Sequence, residues 1–185
     1  DWEPVGNFPK GGRKGSRMKA YTIGLYEKAM PNTLTWKEKL EAAKEAGYDF
    51  VEISIDETDE KLSRLEWTKE ERLELVKTMY EVGLPIRSMC LSGHRKYPIG
   101  SSDPATCARG MEIMEKAIQL ADDLGVRIIQ LAGYDVYYDE STPETVARFG
   151  ENLKKAVHMA ARAGVLMGFE TMETEFMNTC AKSMK

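Results

Sequence analysis

Histidine is almost missing from this chain, with His94 and His158 the only two in 185 residues. That scarcity counts against a nuclease-type multi-zinc centre, which leans on imidazole ligands. Cysteine is scarce as well. Cys90, Cys107 and Cys180 are an odd number without metal-ligand spacing, which points to reduced thiols in a cytoplasmic protein rather than a disulfide framework. Basic charge is not in excess: 26 Lys and Arg face 30 Asp and Glu, the net charge is −4 and the pI is near 5.4. A general nucleic-acid surface is therefore disfavoured, although a local basic patch is not. No uninterrupted apolar run approaches the length that crosses a membrane. A Gly-rich phosphate cradle, a CxxC pair and a Ser-His-Asp ordering are lacking too.

What the chain does have is a repeated phrase. Four amphipathic stretches end at a glycine and run straight into an apolar segment: Gly47-Tyr-Asp-Phe-Val-Glu-Ile-Ser, Gly83-Leu-Pro-Ile-Arg-Ser-Met-Cys, Gly125-Val-Arg-Ile-Ile-Gln-Leu-Ala and Gly164-Val-Leu-Met-Gly-Phe-Glu-Thr. The glycines stand 36, 42 and 39 residues apart. A helix-closing glycine followed by a short buried strand, at that period, is the sequence form of a βα unit. Such units build a parallel sheet or barrel with chemistry at the carboxyl ends of the strands.

Strands are expected over 20–25, 50–55, 86–91, 126–131 and 165–170. Helices are expected over 35–46, from the capping box Thr68-Lys-Glu-Glu71, from Asp103-Pro104 and from Thr142-Pro143. A last helix begins after Asn178. The expected inward faces are Trp36, Leu40 and Ala43; Leu73, Val76 and Tyr80; Met111, Met114, Ala117, Ile118, Ala121 and Leu124; and Val146, Phe149, Leu153, Val157 and Ala160. The strands are nearly continuous in apolar character, which predicts burial on both faces. Five βα units cannot close an eight-stranded barrel, which needs roughly 250 residues. The expected class is therefore α/β: a partial TIM (β/α)8 barrel over residues 18–185, its first five units, with parallel strands. Residues 1–17 are Gly- and Lys/Arg-rich, without the apolar centre of a signal peptide. They read as a disordered leader, a cloning remnant or translated upstream sequence, with a basic interaction arm as the alternative.

The strand ends nominate the chemistry. Glu170 closes the run Val-Leu-Met-Gly-Phe-Glu, where a carboxylate is a natural hard-cation ligand or general base. The plain alternative is a strand-end Glu facing solvent. Glu52 lies inside Phe-Val-Glu-Ile-Ser-Ile and either enters the mouth or pairs with a neighbour. His94 follows a strand beside Arg95 and Lys96, a set suited to metal, substrate oxygen or phosphate, or to a surface loop without a role. Tyr134 and Asp135, with Tyr137 and Tyr138, form an aromatic and acidic loop that can meet a small polar ligand or simply pack. Gln130 stands where a multi-zinc site wants histidine, and an amide is a poor zinc ligand. Glu52, His94 and Glu170 are expected to converge at one mouth, with Gln130 nearby. His158 reads as structural, a cation near a helix C-terminus.

Several runs carry a resemblance: Ile23-Gly-Leu-Tyr-Glu-Lys-Ala-Met-Pro31, Asp49-Phe-Val-Glu-Ile-Ser-Ile-Asp-Glu-Thr-Asp59, Arg64-Leu-Glu-Trp67, Ser88-Met-Cys-Leu-Ser92, His94-Arg95 and Ile129-Gln-Leu-Ala-Gly-Tyr-Asp-Val-Tyr-Tyr138. From Met18 onward the chain resembles the L-ribulose-5-phosphate 3-epimerases of pentose and L-ascorbate utilisation, which share the xylose-isomerase-like TIM barrel. The resemblance implies an isomerase acting on a sugar phosphate through one divalent metal (Mn, Mg, Co or Zn undecided), held by Glu, Asp, His and Glu. Glu170 matches the first of these ligands, which is also one of two acid/base carboxylates; Glu52, His94, Arg95, Gln130, Tyr134 and Asp135 are the substrate-binding candidates. The other ligands would lie beyond Lys185, so the resemblance implies a C-terminally truncated chain with metal binding weak or absent and no activity alone. Two other readings stand beside it: an endonuclease IV-like DNA repair enzyme, and a non-catalytic half-barrel that pairs its open sheet edges. Homo-oligomer formation or edge-to-edge association is expected, with no nucleic-acid or membrane partner.

Overall fold

The computed structural model describes residues 21–184. The leader at 1–17 lies outside the described residues, as do Ala20 and Lys185. In chain order the elements are β1 (Gly24–Tyr26), α1 (Trp36–Glu45), β2 (Phe50–Ile55), α2 (Asp59–Leu62), α3 (Lys69–Val82), β3 (Ile86–Leu91), α4 (Pro104–Leu124), β4 (Ile128–Ala132), α5 (Pro143–Arg162), β5 (Leu166–Glu170) and α6 (Cys180–Ser183). Single 3-10 turns occupy Glu27–Ala29, Ser63–Glu66 and Gly93–Arg95. The five strands form one parallel sheet in the order β1-β2-β3-β4-β5. The partial barrel of βα units read from the sequence is the fold observed.

The punctuation works as its chemistry predicts. Thr68 and Glu71 form a reciprocal capping box on α3, Asp103 caps α4 ahead of Pro104, and Thr142 caps α5 ahead of Pro143. All four phrase glycines have positive φ. Gly83 and Gly125 close α3 and α4 at φ 70° and 72°, a left-handed conformation that costs any other L-residue roughly 1–2 kcal/mol.

The register separates two faces of the sheet. Ile53, Met89, Ile129 and Met167 stand in one row, and Ile55, Leu91, Leu131 and Phe169 in the next. These rows pack into the core formed with Leu40, Leu75, Met79, Ile113, Met114, Leu120 and Ala156 of the helices. The opposite face carries Glu52, Ser88, Ile128 and Leu166 in one row and Ser54, Cys90, Gln130 and Gly168 in another. This corrects the expectation of burial on both faces: Ile128 is 46% exposed and Leu166 64%. Towards β1 that face is closed, with Ser54 buried beside Tyr26; at Ile128 and Leu166 apolar strand composition does not become burial.

Two helix faces also needed correction. On α3 the buried residues are Arg72, Leu75, Met79 and Val82, while Leu73 and Tyr80 are exposed. Arg72 enters the buried face because its guanidinium donates to Trp67 O, Leu65 O and Asp123 Oδ2, a polar anchor that apolar periodicity misses. On α5, Phe149 and Ala160 are buried as expected, but Val146 and Val157 are exposed and Thr145 and Asn152 take the inner face. Asn152 Nδ2 reaches Ile99 O at 2.8 Å, and Thr145 donates to Asp135. Strand β1 starts later than expected because Ile23 N is taken by the Asp49 carboxylate, 2.8 Å away.

Candidate functional site

The carboxyl ends of the strands surround a cleft of about 490 Å³ lined by Tyr26, Lys28, Glu52, Asp56, Arg95, Gln130 and Glu170, among others. Strand alternation puts them there. Tyr26 pairs with Glu52 across β1–β2, Cys90 pairs with Gln130 across β3–β4, and Ala132 pairs with Glu170 across β4–β5. Side chains two apart share a face, so Gln130 and Ala132 present the same side as Glu170. The Gln130 amide Nε2 donates to Glu170 Oε2. Gly133 then carries the chain over β5: its N–H donates to Glu170 O at 2.9 Å, and a Cβ at Gly133 would lie 2.8 Å from Met177. The backbone of Glu170 is therefore pinned while its side chain is exposed at the cleft. Glu52 Oε2 accepts from Ser88 Oγ at 2.6 Å.

Cys90 lies within the field of both Glu52 and Glu170; burial pushes its thiol up, and the two carboxylates push it further. Burial likewise raises the Tyr26 phenol, which meets Ser54 Oγ at 3.2 Å. Lys28 pairs with Asp56 at 2.6 Å, and Asp56 also accepts from Thr58 N and Oγ1.

Three nominated residues do not line the cleft. His94 is buried, its Nε2 donating to Gly110 O of α4 at 3.0 Å, and burial pushes its pKa down to about 4. It holds the β3 loop onto α4 as a neutral ring, which corrects the expected convergence of His94 with Glu52 and Glu170. Asp135 is buried with Oδ2 taken by Ser141 Oγ and Thr145 Oγ1, so it ties the β4 loop to the start of α5. Tyr134 is buried beside Tyr137, ring centroids 5.1 Å apart. The loop is packed around its own side chains. Lys28, Thr58, Cys90 and Met172 line the cleft without having been nominated; Cys90 was recoverable from strand period, two residues after Ser88 on the same face of β3.

Behind the cleft, Glu27 is completely buried. Oε1 accepts from Lys39 Nζ at 2.8 Å, Lys61 Nζ at 2.8 Å and Arg64 Nη2 at 2.7 Å. Oε2 accepts from Arg64 Nη1 at 2.6 Å and Ser54 N at 2.9 Å. The Arg64 guanidinium also lies 5.1 Å from the Trp36 ring and 5.8 Å from that of Trp67. Tyr26 and Lys28, the neighbours of Glu27, both line the cleft, so this clamp fixes one wall of it.

Among the described residues, no group of three or more His, Cys, Asp or Glu is placed to hold a metal ion. Glu170 Oε2 is already met by an amide N–H, and a hard cation takes about six oxygen ligands. The described donors alone do not fit a resident metal.

The chain is 53% identical over 166 residues to L-ribulose-5-phosphate 3-epimerase UlaE of Escherichia coli O139:H28 (strain E24377A / ETEC), a match covering 90% of this chain and 58% of that protein. It therefore spans little more than half the length of that relative. Among solved structures, an L-ribulose 3-epimerase superposes with a TM-score of 0.67 at 24% identity, over 88% of this chain and 55% of that one. A xylose isomerase-like TIM barrel protein from Mycobacterium smegmatis, solved in complex with magnesium, superposes at 0.68 with 13% identity, over 89% of this chain and 60% of that one. The family model described as xylose isomerase-like TIM barrel matches residues 40–185. With five sequential parallel βα units, an open cleft at their carboxyl ends and that match, the chain belongs to the xylose isomerase-like TIM barrel family.

Proposed function

We propose that this chain supplies the substrate cleft and one acid/base carboxylate of a ketopentose-phosphate 3-epimerase, interconverting L-ribulose 5-phosphate and L-xylulose 5-phosphate. The observation that carries the reading is Glu170, pinned by its backbone and oriented by Gln130 at the strand mouth, in a chain 53% identical to an enzyme of that name. The C2 carbonyl acidifies the C3 proton; Glu170 takes it, and a second group must return a proton to the opposite face for inversion. Glu52, Gln130 and Arg95 line the same cleft and are assigned to the sugar hydroxyls and phosphate. A divalent ion would find no set of three donors among the described residues, so its binding by this chain alone is weak or absent. Gln130 in place of a histidine, engaged by Glu170, speaks against the endonuclease IV-like alternative. The three free cysteines support a reducing, cytoplasmic setting, and no helix among the described residues is long and apolar enough to cross a membrane.

The test is a chimera in which the 166 matched residues replace their counterparts in the E. coli relative. It is expected to interconvert the two ketose phosphates, followed by NMR, while residues 1–185 alone show no turnover. A folded but inert chimera, or one that nicks abasic DNA, overturns the reading.

We also propose self-association of the isolated chain. β1 and β5 are sheet edges, and the uncovered face presents Ile128 and Leu166; unpaired edges and apolar faces recruit partners. Sedimentation of residues 1–185 is expected to show dimers or larger species, weakened by Leu166→Lys. A clean monomer refutes it.

A further inference from the structure

The loop after β4 divides sharply along its length. Tyr134, Asp135 and Val136 are buried at its base, while Tyr138, Asp139 and Glu140 are exposed at its tip. The base is fixed to α5, because Asp135 Oδ2 accepts from Ser141 Oγ at 2.9 Å and from Thr145 Oγ1. The tip reaches the other way. Tyr138 donates to both carboxylate oxygens of Glu57, at 3.0 and 3.1 Å, and Glu57 follows β2 and lines the cleft.

That contact crosses a strand. In the sheet β3 lies between β2 and β4, so a side chain of the β4 loop that meets the β2 loop passes over the carboxyl end of β3. The packing there fits the crossing. Arg95, which follows β3, has its guanidinium carbon 4.5 Å from the Tyr137 ring centroid, a cation–π contact. Tyr137 stands edge-on to Tyr134 and Tyr138, at 5.1 and 5.0 Å. It also donates to Glu173, beyond β5, at 3.3 Å. Two adjacent tyrosines therefore tie the loops after β2, β3 and β5 to the loop after β4.

We propose that Tyr138 is a positioning residue that works as a latch: closed on Glu57 it straps the cleft mouth over β3, and released it lets the sugar in and out. The latch rests on this geometry; the identity of the sugar rests on the epimerase reading. Its strength suits the task. Tyr138 is 67% exposed, so water competes for both partners and the bond contributes little net stability. Open and closed tips then lie close in free energy and both are populated, as a gate requires. The buried base supplies the fixed end, so the motion is confined to the tip. Tyr138→Phe removes the hydroxyl and keeps the ring beside Tyr137, which cuts the latch without dismantling the aromatic stack.

The experiment reads the latch twice. In residues 1–185, the Thr58, Arg95 and Lys96 amides are each hydrogen-bonded within the strapped loops. Their hydrogen exchange is expected to rise about tenfold in Tyr138→Phe, with the amides of α4 unchanged. In the chimera, Tyr138→Phe is expected to raise KM for L-ribulose 5-phosphate about three- to tenfold and to change kcat far less. Glu57→Ala should do the same, and the double variant no more than either single one, because each cuts the same bond. Additive defects show that the two side chains act separately and overturn the latch. So does loop exchange that is unchanged, or an unchanged KM in an active chimera. Faster loop exchange beside a chimera that turns over no ketose phosphate upholds the latch and overturns the epimerase reading instead.

Discussion

Glu27→Gln is expected to cost about 3–5 kcal/mol of folding stability, the loss found when one member of a buried ion cluster is removed. Among the described residues, Glu27 is the only carboxylate contacting Lys39, Lys61 and Arg64 together, and all four residues are buried. With an amide in its place, three buried cations lose their shared carboxylate, Lys61 keeping only Glu60 at 3.7 Å, and the amide N–H₂ opposes at least one donor. Lys39→Met is the informative contrast. It leaves the carboxylate with Arg64, Lys61 and Ser54 N, so the loss is expected to be much smaller. The same cluster sets an acid limit. Burial alone would raise the Glu27 carboxyl, but Arg64, Lys39 and Lys61 outweigh it and hold its pKa far below the usual range. A depressed folded-state pKa contributes stability that is present above the unfolded value, about 4.3, and lost as pH falls below it. Urea unfolding between pH 3 and 7 (roughly the span over which an ordinary glutamate titrates) should show wild type weakening on the acid side. Glu27→Gln should be unstable throughout and lack that slope. A loss below about 1 kcal/mol at pH 7 would mean that water reaches the cluster and the clamp is ornamental to the fold.

That cluster also marks where sequence reading stops. The βα order was legible because each signal is local: a glycine that must turn left-handed, a threonine whose hydroxyl caps the next turn, an apolar run of strand length. Gly83, Gly125, Thr68 and Thr142 act through their own neighbours, so their positions could be read in one dimension. Glu27 and its partners are 12, 34 and 37 residues apart, and no local rule joins them. The helix faces failed for a related reason. Arg72 and Asn152 are buried because distant carbonyls accept from them, which hydrophobic periodicity counts as solvent-facing. In the cleft, Glu52, Gln130 and Glu170 were found because strand alternation and strand ends place them. His94 was nominated by the same rule and misplaced, because the 3-10 turn Gly93–Arg95 sends adjacent side chains to opposite destinations: Arg95 to the cleft and His94 to α4. Tyr134 and Asp135 looked like ligand contacts by composition, yet both are buried, and Asp135 Oδ2 is taken by Ser141 and by Thr145 of α5.

Glu170→Gln in the chimera is expected to lower kcat by about 10²–10⁴-fold, the usual contribution of a positioned general base, with little change in KM. The substitution keeps the length of the side chain and the backbone hydrogen bond from Gly133, so the mouth should retain its shape. What it removes is the only proton acceptor that Gln130 orients: the amide N–H₂ engages Oε2, and no described residue donates to Oε1, which leaves that oxygen to face the substrate. Because proton abstraction precedes inversion, solvent deuterium entering C3 should fall in step with product formation. Gln130→Ala should lower kcat less than Glu170→Gln does, since it loosens the carboxylate without abolishing it, and should also weaken ketose-phosphate binding because Gln130 lines the same cleft. Loss of Arg95, which lines the same cleft, should raise KM for the phosphate ester, and loss of Glu170 should not. A Glu170→Gln chimera that keeps most of its turnover would move the base to another carboxylate of the cleft. Glu52 is the first to test, because it lines the same cleft and, through Ser88, has one oxygen committed while the other has no hydrogen bond among the described residues.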